Sequence, residues 1–114
     1  WNIAHNEVDL KNHKNNHKSS GFLPSEREWL TGVLGEDAES GWVDVVRHRR
    51  PDEVGPYSWW SQRGKAFDND AGWRIDYHMA TAKLAARAVS DRVDVAGAYD
   101  ERWSDHAPVV VEYE

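Results

Sequence analysis

Cysteine is absent from this 114-residue sequence, which removes a disulfide framework and a thiolate metal site from consideration. Long hydrophobic runs are absent too. Nothing approaches the roughly 20 apolar residues that cross a bilayer, so no membrane partner is expected. There is no charged-then-apolar leader and no small-residue cleavage site, and a reducing, cytoplasmic setting is the expectation. Aliphatic residues are scarce: Leu, Ile, Val and Phe make up 21 of 114, about 18%, near the threshold where a charged chain begins to look disordered. A basic excess is lacking as well. The formal net charge is -6, whereas a phosphate-binding domain usually carries a basic footprint.

Seven tryptophans pull against disorder, because each can bury a large apolar ring. The length allows one small domain, which buries only about two-thirds of its unfolded surface. A core this thin predicts a piece of something larger, or a subunit that needs a partner. Net charge governs solubility and steering rather than what a local face binds. Lys11, Lys14 and Lys18 alternate with His5, His13 and His17, and Arg47-His48-Arg49-Arg50 forms a second basic run.

Along the chain, Trp1–Ala4 reads as the end of a strand, and His5–Ser20 as a long polar loop. Pro24 and the acidic residues after it open a helix with an apolar stripe at Trp29, Leu30, Val33 and Leu34, stopped at Gly35. Trp42–Arg49 predicts a short helix or turn ended by Pro51. Tyr57–Ser61 reads as a strand and Gly64–Gly72 as a turn-rich loop. Trp73–Ala80 alternates as a strand, with Arg74, Asp76 and His78 on one face and Trp73, Ile75, Tyr77 and Met79 on the other. Thr81 is a candidate cap for a helix running to Val89. Arg92–Tyr99 and Pro108–Tyr113 read as two further strands. The pattern is α/β, in one domain.

Three features bear chemistry. Ser104-Asp105-His106 precedes the final strand. Adjacent residues of an extended chain point to opposite sides, so His106 needs an orienting carboxylate other than Asp105, unless the segment is an exposed polar turn. Asp76 lies among apolar residues, where a carboxylate needs a cation, a histidine or a metal. A salt bridge to Arg74 is the alternative, although two residues apart on one strand is a poor reach. Trp59, Trp60 and Trp73 either stack against a base or sugar or fill a core.

Several strings, in order, carry a resemblance: WNIAH, NEVDLKN, SGFLPSEREWL, GWVDVVRHRRPD, YSWWSQR, GWRIDYHMAT and SDHAPVVVEYE. Together they resemble the exonuclease III and apurinic/apyrimidinic endonuclease family, within the endonuclease/exonuclease/phosphatase superfamily. The resemblance implies an α/β fold: residues 1–114 as the C-terminal half of a two-sheet α/β sandwich, contributing one mixed, mostly antiparallel sheet with flanking helices. The family's motif Asp before Trp1, its metal-binding Glu, its catalytic Tyr and its partner sheet all lie outside these residues. The missing half, or a self-association partner, would cover the sheet.

The resemblance also implies roles. Asn2 orients the scissile phosphate, Asp76 orients the catalytic histidine, and His106 is that histidine, in contact with the phosphate. Asp105 stands at or near the metal site. Trp59, Trp73 and Ile75 line a pocket for a flipped abasic sugar, and Asn12 and Asn16 belong to a loop touching DNA phosphates. Ser19 stands where many members have Asn. Oxygen ligands imply Mg²⁺ or Mn²⁺ as cofactor. The expected activity is DNA repair phosphodiester hydrolysis on abasic duplex and 3′ ends, with these 114 residues alone inactive. A non-catalytic DNA-binding or assembly module, and a superfamily phosphodiesterase with another substrate, are the alternatives.

Overall fold

The computed structural model describes residues 1–34 and 41–114, so the helix stop expected at Gly35 lies outside the described residues. Helix α1 spans Pro24–Val33, and Pro24 needs no intrahelical partner at its first position. Glu26 Oε1 accepts from the Leu23 and Gly21 backbone N–H groups at 3.0 and 2.8 Å, satisfying donors at the helix entrance. The expected stripe is buried only at Leu30. Trp29 points outward and meets exposed Trp1 edge-to-face at 5.4 Å.

The strands are β1 (Trp42–Asp44), β2 (Trp59–Trp60), β3 (Gly72–Trp73), β4 (Met79–Thr81), β5 (Ala88–Val93) and β6 (Val109–Tyr113), with helices α2 (Val45–Arg49) and α3 (Ala82–Ala85) between them. They pair as three antiparallel ladders, β1 with β4, β2 with β3, and β5 with β6. The single sheet expected from the sequence is therefore divided. Isolated bridges extend the middle ladder on both sides, Leu10 to Trp73 and Trp59 to His106. Gly72 makes that ladder possible: a Cβ there would come within 2.6 Å of the Tyr57 Cβ and 2.7 Å of the Trp60 indole nitrogen.

Several segments depart from expectation for physical reasons. Trp1–Ala4 joins no ladder; the Ala4 N–H donates to the Gly21 carbonyl instead. The expected Trp73–Ala80 strand is interrupted over residues 74–78, where the Ile75 and Asp76 N–H groups both donate to the buried Ser58 hydroxyl at 3.1 Å. A side chain has replaced the neighbouring backbone. Thr81 caps as expected, accepting from Leu84 N, but its helix ends at Ala85 and β5 begins at Ala88 rather than Arg92. The Arg49 guanidinium bonds the Ala88 and Val89 carbonyls and the Asp91 carboxylate, and β6 pairs along the same segment. These tertiary bonds override the helix propensity of the alanines.

Among the described residues, most of the buried apolar side chains fall into three small clusters. Ala4, Leu10, Phe22 and Ile75 pack with the half-buried Trp59 and Trp73; Val45, Ala80 and Ala85 pack with Val43, Ala88 and Val111; Tyr57, Trp60 and Ala107 pack with Phe67 and Val93. Trp1, Trp29, Trp42 and Trp103 stay exposed, so most of the tryptophan rings lie outside the core. An ionic knot is buried as well. Arg74, 2% exposed, donates to Asp9 at 2.8 Å and in a bidentate pair to Asp44 at 2.6 and 3.0 Å. Arg47 closes it by donating to Asp9 and to the Gly55 and Glu53 carbonyls. Burial alone would push the Asp9 carboxyl up, but the guanidinium groups outweigh it and hold the carboxyl below its ordinary range. No described helix is long and apolar enough to cross a membrane.

Candidate active site

Asp76 and His106 lie thirty positions apart and converge at the edge of the β2–β3 ladder. The Ser58 hydroxyl fixes the backbone of Asp76, as described above. His106 is fixed by its bridge to Trp59: the Ala107 N–H donates to the Ser58 carbonyl at 2.8 Å, and the Trp60 N–H to the Asp105 carbonyl at 3.1 Å. One residue, Ser58, thus positions both partners. Its only mark in the sequence is that of a polar residue inside an aromatic run.

The His106 Nδ1 stands 2.9 and 3.1 Å from the two carboxylate oxygens of Asp76. A carboxylate only accepts, so Nδ1 carries the hydrogen and donates. The tautomer is thereby set, with Nε2 as the ring nitrogen left for other chemistry. The alternative partner for Asp76, Arg74, is consumed by Asp9 and Asp44. Asp105 does not pair with its neighbour; its Oδ2 accepts from the Trp59 indole N–H at 3.1 Å. Both side chains of the couple are half-buried and line an open cleft of about 350 Å³ with Tyr77, His78, Trp103 and Ser104.

The remaining expected residues distribute around this couple. Trp59 and Trp73 meet edge-to-face at 6.0 Å, half-buried. Ile75 is 5% exposed and belongs to the cluster behind them, backing the site rather than lining the cleft. Asn12 and Asn16 sit on the 5–20 loop, joined to each other by an Asn16 side-chain bond to the Asn12 carbonyl at 2.7 Å. That loop is tied to β3 where the Lys11 N–H donates to the Gly72 carbonyl. Asn2 is exposed, with its carbonyl against Gly21, and makes no hydrogen bond to Asp76 or His106. Trp103, 90% exposed at the cleft, was not anticipated from the sequence. A tryptophan in an otherwise polar turn is the signal that marks it.

The donors in and beside the cleft match a hard divalent ion in kind but not in number. Asp105, next to His106 but not lining the cleft, brings a carboxylate whose Oδ2 accepts from the Trp59 indole, while the Asp76 oxygens are engaged by His106. Among the described residues, the one group of three potential ligands lies elsewhere, at Glu7, His13 and His17.

This fold and this carboxylate–imidazole couple belong to a recognised class. Residues 1–106 match the model of the Endonuclease/Exonuclease/phosphatase family, and the chain belongs to that family. Its relatives include exodeoxyribonucleases and AP endonucleases. An exodeoxyribonuclease of Bacillus subtilis is 46% identical over 110 residues, which cover 95% of this chain and 40% of that protein. An AP endonuclease from Archaeoglobus fulgidus superposes with a TM-score of 0.85 at 30% identity, over 99% of this chain and 42% of its own. A 3′ phosphatase from Neisseria, bound to a product DNA hairpin, gives 0.83 at 31% identity, over all of this chain and 42% of its own. The chain therefore spans about 40% of the length of the curated relatives it matches. Members of the family generally depend on a divalent metal.

Proposed function

We propose that these residues form the C-terminal half of a DNA repair phosphodiesterase, acting on abasic duplex and on 3′ ends, with His106, Asp76 and Asn2 at the scissile phosphate. The observation that carries this reading is the Asp76–His106 couple on an open cleft, with both oxygens of the carboxylate on Nδ1. Hydrolysis of a phosphodiester gathers negative charge on the phosphoryl oxygens. An imidazolium held with its Nε2–H directed outward would donate to one of them, and preorganisation spares the reorganisation that water would require. Asp76 holds the ring and its tautomer. Trp59 and Trp73 offer aromatic edges to an extruded sugar, which leaves the stack most cheaply where a base is absent. Asn12 and Asn16, among Lys11, Lys14 and Lys18, would meet the backbone phosphates.

The cofactor on this reading is Mg²⁺ or Mn²⁺, with Asp105 as the ligand this chain would contribute. A hard divalent ion supplies positive charge to the phosphoryl oxygens when bound. Its other ligands would come from the part of the protein that corresponds to the rest of the relatives' length. The 114 residues alone are then inactive. Nicking of a synthetic abasic duplex in Mg²⁺ tests both statements. The longer protein should incise, its His106→Ala variant should lose about 100-fold or more, and the isolated chain should leave the duplex intact. Robust incision by the isolated chain, or full activity of the variant, would overturn the reading.

A further inference from the structure

The polar loop contains a second group of ligating side chains that the phosphodiesterase reading leaves unused. Glu7, His13 and His17 each bring one ligand atom within 4.8 Å of the other two. His13 Nδ1 is buried with no hydrogen-bond partner, which is costly for a polar ring atom unless something fills the gap. Its nearest charged neighbour, Glu7 Oε2, is 3.9 Å away, too far for a hydrogen bond. Two ligands on one tetrahedral ion, with bonds of about 2.0–2.1 Å, stand about 3.4 Å apart. Bringing the separations, which run up to 4.8 Å, to that value falls to the exposed side chains of Glu7 and His17.

The backbone holds the three residues on successive turns. Glu7 begins one 3₁₀ turn, Glu7–Asp9, His13 begins another, His13–Asn15, and His17 follows four residues later. The Asn16 N–H donates to the His13 carbonyl and the Ser19 N–H to the Asn16 carbonyl, carrying the turns across the histidines. The His17 ring rests on the fully buried Phe22 at 5.2 Å and faces the His13 ring edge-to-face at 6.3 Å. The ligand positions are thus anchored, although Glu7 and His17 are exposed and accessible to an ion from solvent.

We propose that Glu7, His13 and His17 bind a borderline divalent transition ion, Zn²⁺ foremost, with the fourth position open to water. Two imidazoles and one carboxylate suit Zn²⁺ and its neighbours, whereas Mg²⁺ takes oxygen ligands. The ion clips together the turns of the 5–20 loop. This site is separate from the Asp105 metal position and does not depend on the reading of the cleft.

Zn²⁺ calorimetry and Co²⁺ titration of the purified protein, followed by visible absorption, test the site. One equivalent should bind, with a tetrahedral cobalt spectrum, and excess Mg²⁺ should not displace it. His13→Ala and His17→Ala should each weaken binding at least tenfold, while His48→Ala on α2 should leave it unchanged. Because the chain has no cysteine, His17→Cys should add a thiolate-to-cobalt charge-transfer band that nothing else in the protein can produce. This variant reports on the site even if the alanine variants fold poorly. Absence of that band, or wild-type affinity in His13→Ala and His17→Ala, would overturn the proposal.

Discussion

Two ion pairs issue from the same short segment and have opposite characters. Arg74 turns inward, and each of its three guanidinium nitrogens donates to Asp9 or Asp44. Asp76, two residues on, turns to the rim and meets one nitrogen of an imidazole whose other nitrogen is left over. The first arrangement uses its bonding capacity internally and holds three chain segments together. The second keeps capacity in reserve at an open cleft. A closed charge network is a structural device, whereas a half-satisfied pair on a cleft is where chemistry is expected.

This contrast breaks most readily at Arg74. Replacing it by Met leaves the buried Asp44 carboxylate without a cation and Asp9 with Arg47 alone, and unfolding in urea should show a loss of about 3–5 kcal/mol. A loss below 1 kcal/mol would remove the distinction between the two pairs. Ser58→Ala comes next, since two N–H donors lose their acceptor; a cost of about 1–3 kcal/mol is expected by the same measurement, with altered His106 ring resonances.

Acid separates the pairs further. The Asp9 carboxyl is held below its unfolded value, so its contribution to stability is complete above about pH 4 and disappears as the pH falls through the folded value. Thermal melts from pH 6 downward should show this loss, and it should be absent from Asp9→Asn. On the rim, Asp76→Asn should change stability by less than about 1 kcal/mol, as for other partly exposed pairs, while abolishing incision by the longer protein. Trp103→Ala is expected to have the smallest effect: stability within about 0.5 kcal/mol of wild type, and duplex binding weakened only a few-fold in a fluorescence titration.

Much of the rim could be read from the sequence. Asp76 needed a partner because it stood among apolar residues, and His106 needed a carboxylate other than its neighbour. The ladder brings the two together. Helix α1 was legible from Pro24 and the acids after it, and α3 from Thr81. The interior was not. Alternation assigned Arg74, Asp76 and His78 to one face, but residues 74–78 leave the ladder because a Ser58 hydroxyl stands in for a strand. Alternation carries no information about such a substitution. Nor does it reveal that Asp9 and Asp44, 65 and 30 positions from Arg74, are its partners. The start of β5 was misplaced because its pairing depends on Arg49 and on β6, both distant in sequence.

The most direct test of the account is the tautomer of His106, read by long-range ¹H–¹⁵N correlation of the imidazole nitrogens. The hydrogen should reside on Nδ1 in the wild type and redistribute between the two nitrogens in Asp76→Ala. A neutral wild-type ring with its hydrogen on Nε2 and none on Nδ1, or a pattern indifferent to the loss of Asp76, would contradict it.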